Sequence, residues 1–301
     1  MDDDEVDPGG HTHPPAEAFA LLGDETRIGI IQALGEAGGE GRSFSELRER
    51  VGARDSGRFN YHLNKLVGTF VRKTDDGEYE LSYAGSRVVG AILSGEYTRH
   101  GSADAFELDS ACSNCETALS ATYEDERVAI RCPTCDEQQS SFGFPPGGIE
   151  DRTPAELTQA FDDWLMTIFR LVSNGVCNNC VGKTSGRLTD DVPNVATDRP
   201  VSIVFVCERC ASSATISVNS YLIYHPAVVA FHHDHGIDVS DVHTWTLEFV
   251  LDENLEIVST DPWRVRSTLE LDGDRLELLV EEDCSVRVDS EDDRDERNSP
   301  G

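Results

Sequence analysis

The chain has 301 residues, a hydrophobic fraction of 38% and a formal net charge of −32, from 57 acidic and 25 basic side chains. That length allows two or three small domains, and the apolar fraction is low without being that of a disordered chain. No stretch approaches the roughly 18 apolar residues of a membrane span, and Met1-Asp2-Asp3-Asp4-Glu5 has the wrong charge for a secretory signal. The expectation is a cytoplasmic protein with reduced thiols and no membrane partner. Only three bases are lysines, Lys65, Lys73 and Lys183. Acid excess with so little lysine points to a salt-loaded cytoplasm, where screening makes self-repulsion tolerable.

In chain order, residues 1–13 read as a disordered acidic tail, and residues 14–97 as one compact unit. Residues 16–22 have a helical pattern. Asp24-Glu25-Thr26 opens a second helix, with Ile28, Ile31 and Leu34 on one face. Ser43 and Glu46 form a capping box for a short third helix. Asp55 or Ser56 caps a fourth, which turns Phe59, Leu63, Leu66 and Val67 inward and Arg58, Tyr61 and Lys65 outward. A hairpin follows, Phe70–Thr74 and Tyr79–Ser82 about Asp75-Asp76-Gly77, and then a helix from Gly85 to Leu93. Short helices, a hairpin and a closing helix describe a winged helix-turn-helix.

Beyond it, residues 106–144 carry the first four cysteines and end in a linker-like Phe144-Pro145-Pro146-Gly147-Gly148. Residues 150–288 read as an α+β domain. A helix capped by Thr153 and Glu156 runs from Pro154 to Val172, with Leu157, Phe161, Trp164, Leu165, Ile168 and Val172 at helical spacing. A further helix over 220–235 is interrupted or entered at Pro226. Strands are expected at Trp245–Val250, Arg264–Leu269 and Arg275–Val280, the last two joined at Asp272-Gly273 as an antiparallel meander. Residues 289–301 form a second acidic tail. The fold class is thus α+β: a winged helix-turn-helix, zinc-ribbon elements, and an α+β domain with a meander.

Leu21-Leu22-Gly23-Asp24-Glu25-Thr26-Arg27-Ile28 resembles the opening signature of the ArsR-type winged-helix regulators, and Phe59-Asn60-Tyr61-His62-Leu63-Asn64-Lys65-Leu66-Val67 resembles the recognition helix of haloarchaeal members. The resemblance covers residues 14 to 95 and implies DNA binding. Metal-sensing members carry a cysteine pair within this domain; here none precedes Cys112. Local charge agrees with DNA contact, since Arg42 to Lys73 holds eight bases against Glu46, Glu49 and Asp55. Expected DNA contacts are Arg54, Ser56, Gly57, Arg58, Asn60, Tyr61, Asn64 and Lys65 on the helix and Arg72 and Lys73 on the wing.

Eight of the nine cysteines form four Cys-x-x-Cys pairs. Cys112 and Cys115 are separated by 16 residues from Cys132 and Cys135, and Cys177 and Cys180 by 26 from Cys207 and Cys210. Two such turns joined by a hairpin make the four-thiolate shell that Zn²⁺ prefers, so two structural zinc ions are expected. Pairing within each set is the simpler arrangement; interleaved sites are the other. Cys284 reads as a buried apolar residue in a strand-like run.

His232, His233, Asp234, His235 and His243 crowd together and suit either a metalloenzyme site or a helix C-terminus, the latter being the stronger reading. No phosphate loop or nucleophile elbow is present. The function expected is a non-enzymatic DNA-binding transcriptional regulator. It would dimerise through the Gly85–Leu93 helix, contact double-stranded DNA, and use its C-terminal part to sense a small-molecule effector or dock a protein partner. A basal transcription component similar to the archaeal relative of the large TFIIE subunit is the alternative.

Overall fold

The computed structural model describes residues 13–112, 114–136, 138–191, 201–251 and 254–289. The two expected acidic tails lie outside these residues except for His13 and Asp289, as do residues 192–200 of the 26-residue stretch between Cys180 and Cys207, whose Thr189-Asp190-Asp191-Val192-Pro193 reads as loop. The chain divides into two units, one of residues up to His100 with Pro145–Gly147, the other of the remaining residues from Gly101.

The first unit runs α1 (Pro15–Leu22), α2 (Glu25–Gly35), α3 (Phe44–Arg50), α4 (Ser56–Leu66), β1 (Val71–Lys73), β2 (Tyr79–Leu81) and α5 (Tyr83–Ser94). Its helices begin where a short polar side chain can satisfy free N–H groups. Asp24 accepts from Arg27 N–H. Ser43 and Glu46 exchange bonds as a capping box. Asp55 accepts from the N–H groups of Gly57 and Arg58 at 2.8 and 3.0 Å, and Ser82 from Gly85. Arg42 pairs with Tyr79 and extends the hairpin. Ile30, Ile31, Leu34, Leu47, Phe59, Leu63 and Leu66 fill the core. At Gly85 the backbone lies so close to the Phe70 carbonyl that a Cβ would collide with it.

The second unit holds three antiparallel sheets. The first is β3 (Ala103–Ala111), β4 (Ala118–Glu124), β5 (Arg127–Arg131) and β6 (Gln138–Gly143) in sequential order. Then come α6 (Pro154–Ser173) and the sheet β7 (Thr184–Thr189), β8 (Ser202–Cys207) and β9 (Ser213–Ser217). Short helices α7 (Val218–Leu222), α8 (Pro226–Asp234) and α9 (Glu248–Leu251) lead to the meander β10 (Leu255–Thr260), β11 (Trp263–Leu271), β12 (Asp274–Glu281) and β13 (Val286–Val288). Both residues of the β11–β12 turn, Asp272 and Gly273, have positive φ, 52° and 92°, as a two-residue hairpin of matching twist requires.

Four expectations need correction. Residues 106–144 and 150–288 do not form separate cores: Phe106, Phe142 and Phe144 surround the fully buried Phe161 of α6 at ring separations of 6.2, 5.9 and 4.9 Å. Phe144 is therefore an anchor rather than a linker residue, and its carbonyl accepts from the Tyr123 hydroxyl at 2.8 Å. Trp245–Val250 is a 3₁₀ turn and a short helix, because Thr246 and Leu247 bond back to His243 and Thr244. Trp164 and Val67 are not core residues. Trp164 is exposed and donates to the Gly143 carbonyl, while Val67 follows the last turn of α4 and is exposed. Cys284 is buried as expected, but it sits in the β12–β13 turn with φ 64° rather than in a strand.

Candidate metal centres and nucleic-acid interface

The four Cys-x-x-Cys turns share one backbone design. The residue after the second cysteine is left-handed in each: Glu116 at φ 58°, Asp136 at 55°, Val181 at 58° and Ala211 at 57°. Its N–H donates to the first cysteine's carbonyl at 2.8, 2.9, 2.9 and 3.0 Å respectively. Further N–H groups aim at sulfur: Cys135 at Cys132 Sγ (3.3 Å), Asn179 at Cys177 Sγ (3.4 Å) and Arg209 at Cys207 Sγ (3.4 Å). Such donors favour the thiolate form that a metal needs.

The β4–β5 hairpin returns Cys132 to Cys112, and pairing of β7 with β8 sets Cys207 opposite Thr184. The thiols gather as Cys112, Cys115, Cys132, Cys135 and as Cys177, Cys180, Cys207, Cys210, each set with its sulfurs within 4.8 Å of one another. Pairing is thus within consecutive sets and not interleaved. Cys115 and Cys132 sulfurs are 3.5 Å apart, Cys177 and Cys210 3.7 Å, and Cys180 and Cys207 3.5 Å. A tetrahedron built on metal–sulfur bonds of about 2.3 Å has edges of about 3.8 Å, so either set could hold a metal ion such as zinc.

Four adjacent sulfurs cannot all ionise without a cation. The Thr117 hydroxyl and N–H draw the Cys115 thiol down to about 6. Cys135, facing Cys115, is pushed up to about 12. In the second set the Cys210 N–H, against the opposing effect of burial, brings Cys207 down to about 6. A divalent ion removes this conflict by neutralising the sulfurs it binds.

On α4, Phe59, His62, Leu63 and Leu66 face the core. Arg54 and Ser56 through Arg58, and then Asn60, Tyr61, Asn64 and Lys65, are exposed, and Tyr61 remains 57% accessible. Lys65 Nζ lies 5.6 Å from the Tyr61 ring centroid, a cation–π contact that orders both side chains. Arg72 and Lys73 are exposed on β1, but Arg72 is paired with Glu80 on β2 at 2.7 Å. Arg50 is likewise paired with Glu36. Two of the eight bases counted from Arg42 to Lys73 are therefore neutralised by acids outside that window.

Residues 109–286, more than half of the chain, match the family described as Domain of unknown function (DUF7351). The chain belongs to the DUF7351 family. Residues 15–92 match a second description, Domain of unknown function (DUF7347). No curated protein and no solved structure matches. The DUF7351 match contains both cysteine clusters, and the DUF7347 match runs from α1 into α5.

Within the DUF7351 region the histidines do not gather as ligands. His232 Nδ1 bonds the Val228 carbonyl at 2.8 Å, and His235 Nδ1 bonds the Phe231 carbonyl at 2.7 Å while Nε2 lies 3.3 Å from Asp274. His243 stacks on Trp245 with ring centroids 5.6 Å apart. Among the described residues, the two cysteine clusters are the sets whose ligand atoms converge.

Two polar groups of structural weight escaped sequence reasoning. Asp162 of α6 is buried and accepts from Thr244 N–H at 2.9 Å; burial raises its pKa above the ordinary 3.8. His62, also buried, places Nδ1 3.2 Å from Asp24 Oδ1 and 3.5 Å from Arg27 Nη1. Arg27 in turn bonds the Ala20 and Leu21 carbonyls at the end of α1. The Gly23–Arg27 segment thereby joins α1, α2 and α4. The only sequence hint was that His62 interrupts the apolar face of α4.

Proposed function

We propose that the chain is a DNA-binding transcriptional regulator whose first unit is a winged helix-turn-helix of ArsR-like type. In this reading α4 enters the major groove and the β1–β2 hairpin is the wing. The observation that carries it is local. From Ser56 to Thr74 there are four bases and no acid, in a chain of net charge −32; Arg72 is paired with Glu80, which leaves Arg58, Lys65 and Lys73. Arg58 and Lys65 stand on the outward face of a helix whose opposite face is locked into the core. Such bases can reach groove edges or phosphates, while Asn60, Tyr61 and Asn64 supply hydrogen-bonding groups suited to base edges.

The two cysteine clusters are assigned as structural Zn²⁺ sites, because all-thiolate tetrahedral shells leave no open position for chemistry. Homodimerisation through α5 fits the exposed apolar Tyr83 and Leu93, with Phe19 of α1 and Tyr97 beyond α5 also exposed. Two half-sites would double the readout.

Chromatin pull-down with sequencing of bound fragments tests the reading. A defined set of sites supports a regulator, promoter-wide occupancy supports a basal factor, and absence of bound DNA refutes both. On a recovered site, Arg58→Ala with Lys65→Ala should weaken binding; unchanged gel-shift affinity would remove α4 as the reader.

A further inference from the structure

The two cysteine clusters share one backbone design but have opposite surroundings. Between residues 103 and 143 there are nine acids and two bases. The residues 174–189 and 201–217, which carry the second cluster and β7–β9, contain one acid, Glu208, and three bases, Lys183, Arg187 and Arg209. At the chain-wide frequency of 57 acids in 301 residues, about six would be expected over those 33 positions.

The equivalent left-handed turn positions make the comparison sharper. At the first cluster they are Glu116 and Asp136; at the second they are Val181 and Ala211. Valine is a poor residue for positive φ, where Asp is better tolerated, and Val181 is 74% exposed. Neither backbone preference nor burial accounts for the absence of acid there.

The edge strand β7 displays what replaces it. Ser185 and Arg187 alternate onto its outer face, Lys183 immediately precedes it, and all three are exposed. The opposite face packs Leu188, Ile203, Phe205 and Ile216 into the core, and Cys284 approaches Gly186 from that side. Lys183 and Arg187 have no carboxylate within ion-pair distance among the described residues, in a molecule with more than twice as many acids as bases. Lys183 is also one of only three lysines; the other two are Lys65 and Lys73.

We propose that the exposed face of the edge strand β7, with Arg187 on it and Lys183 just before it, is a second contact for the phosphate backbone of double-stranded DNA. It rests on the reading that the chain binds DNA. Val206 and Val204 lie opposite Ser185 and Arg187, with Ser213 and Thr215 beyond them; unpaired cations in a stretch with a single acid are what a polyanion selects, and an apolar protein partner would require neither.

The test uses the full-length, zinc-loaded chain and a labelled 40-base-pair duplex of random sequence, titrated by fluorescence anisotropy across a salt series. Each lost phosphate contact should reduce the slope of log K against log salt by about 0.9. Lys183→Ala with Arg187→Ala should therefore lower it by about 1.8, with metal content and melting temperature unchanged. Arg58→Ala with Lys65→Ala, measured in parallel, reports on α4. A wild-type slope in the Lys183/Arg187 variant overturns the second contact, and the function proposed for α4 then stands if its own variant loses slope. Loss only in the Lys183/Arg187 variant keeps the second contact and removes α4 as the reader. A duplex not bound by the unmutated chain overturns both. Unchanged DNA binding together with lost affinity for a poly-glutamate peptide would assign the face to an acidic protein partner instead.

Discussion

Phe161 is where the first cysteine sheet and α6 become one body, so truncating it should destabilise both together. The ring is fully buried and has edge-on contacts with Phe144 and Phe142 at 4.9 and 5.9 Å. Phe161→Ala removes a buried aromatic side chain, a change costing about 3–5 kcal/mol. The aromatic pairs, worth about 0.5–1.5 kcal/mol each beyond area burial, place the loss in the upper part of that range. Domains retain only about 5–15 kcal/mol in total, so one substitution should remove about a quarter or more of the stability. The melting midpoint should fall by about 8–20 °C at roughly 2–4 °C per kcal/mol. The assay is a thermal melt of the Co²⁺-loaded chain, followed by circular dichroism and by thiolate–cobalt absorption. Both signals should move together, and Phe161→Leu should restore most of the loss. A shift below about 1 kcal/mol, or cobalt absorption that survives the circular-dichroism transition, would show that the ring does not join the two parts.

Three further outcomes follow from the same geometry. Asp162 has a raised folded pKa, so its ionised form opposes folding, and the penalty grows as pH rises from the ordinary 3.8 through the folded value. Asp162→Asn keeps an acceptor for Thr244 N–H and should be more stable than the parent at pH 7, with the gain vanishing below about pH 4; an equal or larger gain in acid would contradict this in denaturant titrations. Thr153→Ala opens the capping box at the start of α6 and should cost about 1 kcal/mol, whereas no change in urea midpoint would mean the cap is redundant. Lowering salt from about 1 M to 0.1 M lengthens screening from about 3 to 10 Å, so the net charge of −32 should lower the melting temperature; a salt-independent midpoint would remove the case for a salt-adapted surface.

Local signals settled a good deal without tertiary information. The caps at Asp24, Ser43, Asp55 and Thr153, the Asp272-Gly273 turn, the break at Pro226 and the four Cys-x-x-Cys turns each depend on residues a few positions apart, whose chemistry is the same wherever the chain goes. Only the folded chain decided what depended on distant partners. Trp245–Val250 alternates like a strand, yet the Asn219 amide bonds the Phe249 carbonyl and Asp162 bonds Thr244 N–H, holding the segment as turns. Arg72 and Arg50 read as free bases until Glu80 and Glu36 came within reach. His62 became a link between helices only when Asp24 and Arg27 lay beside it. Spacing along the chain encodes hydrogen bonds that close within a turn; burial and charge pairing are set by neighbours that only packing brings together.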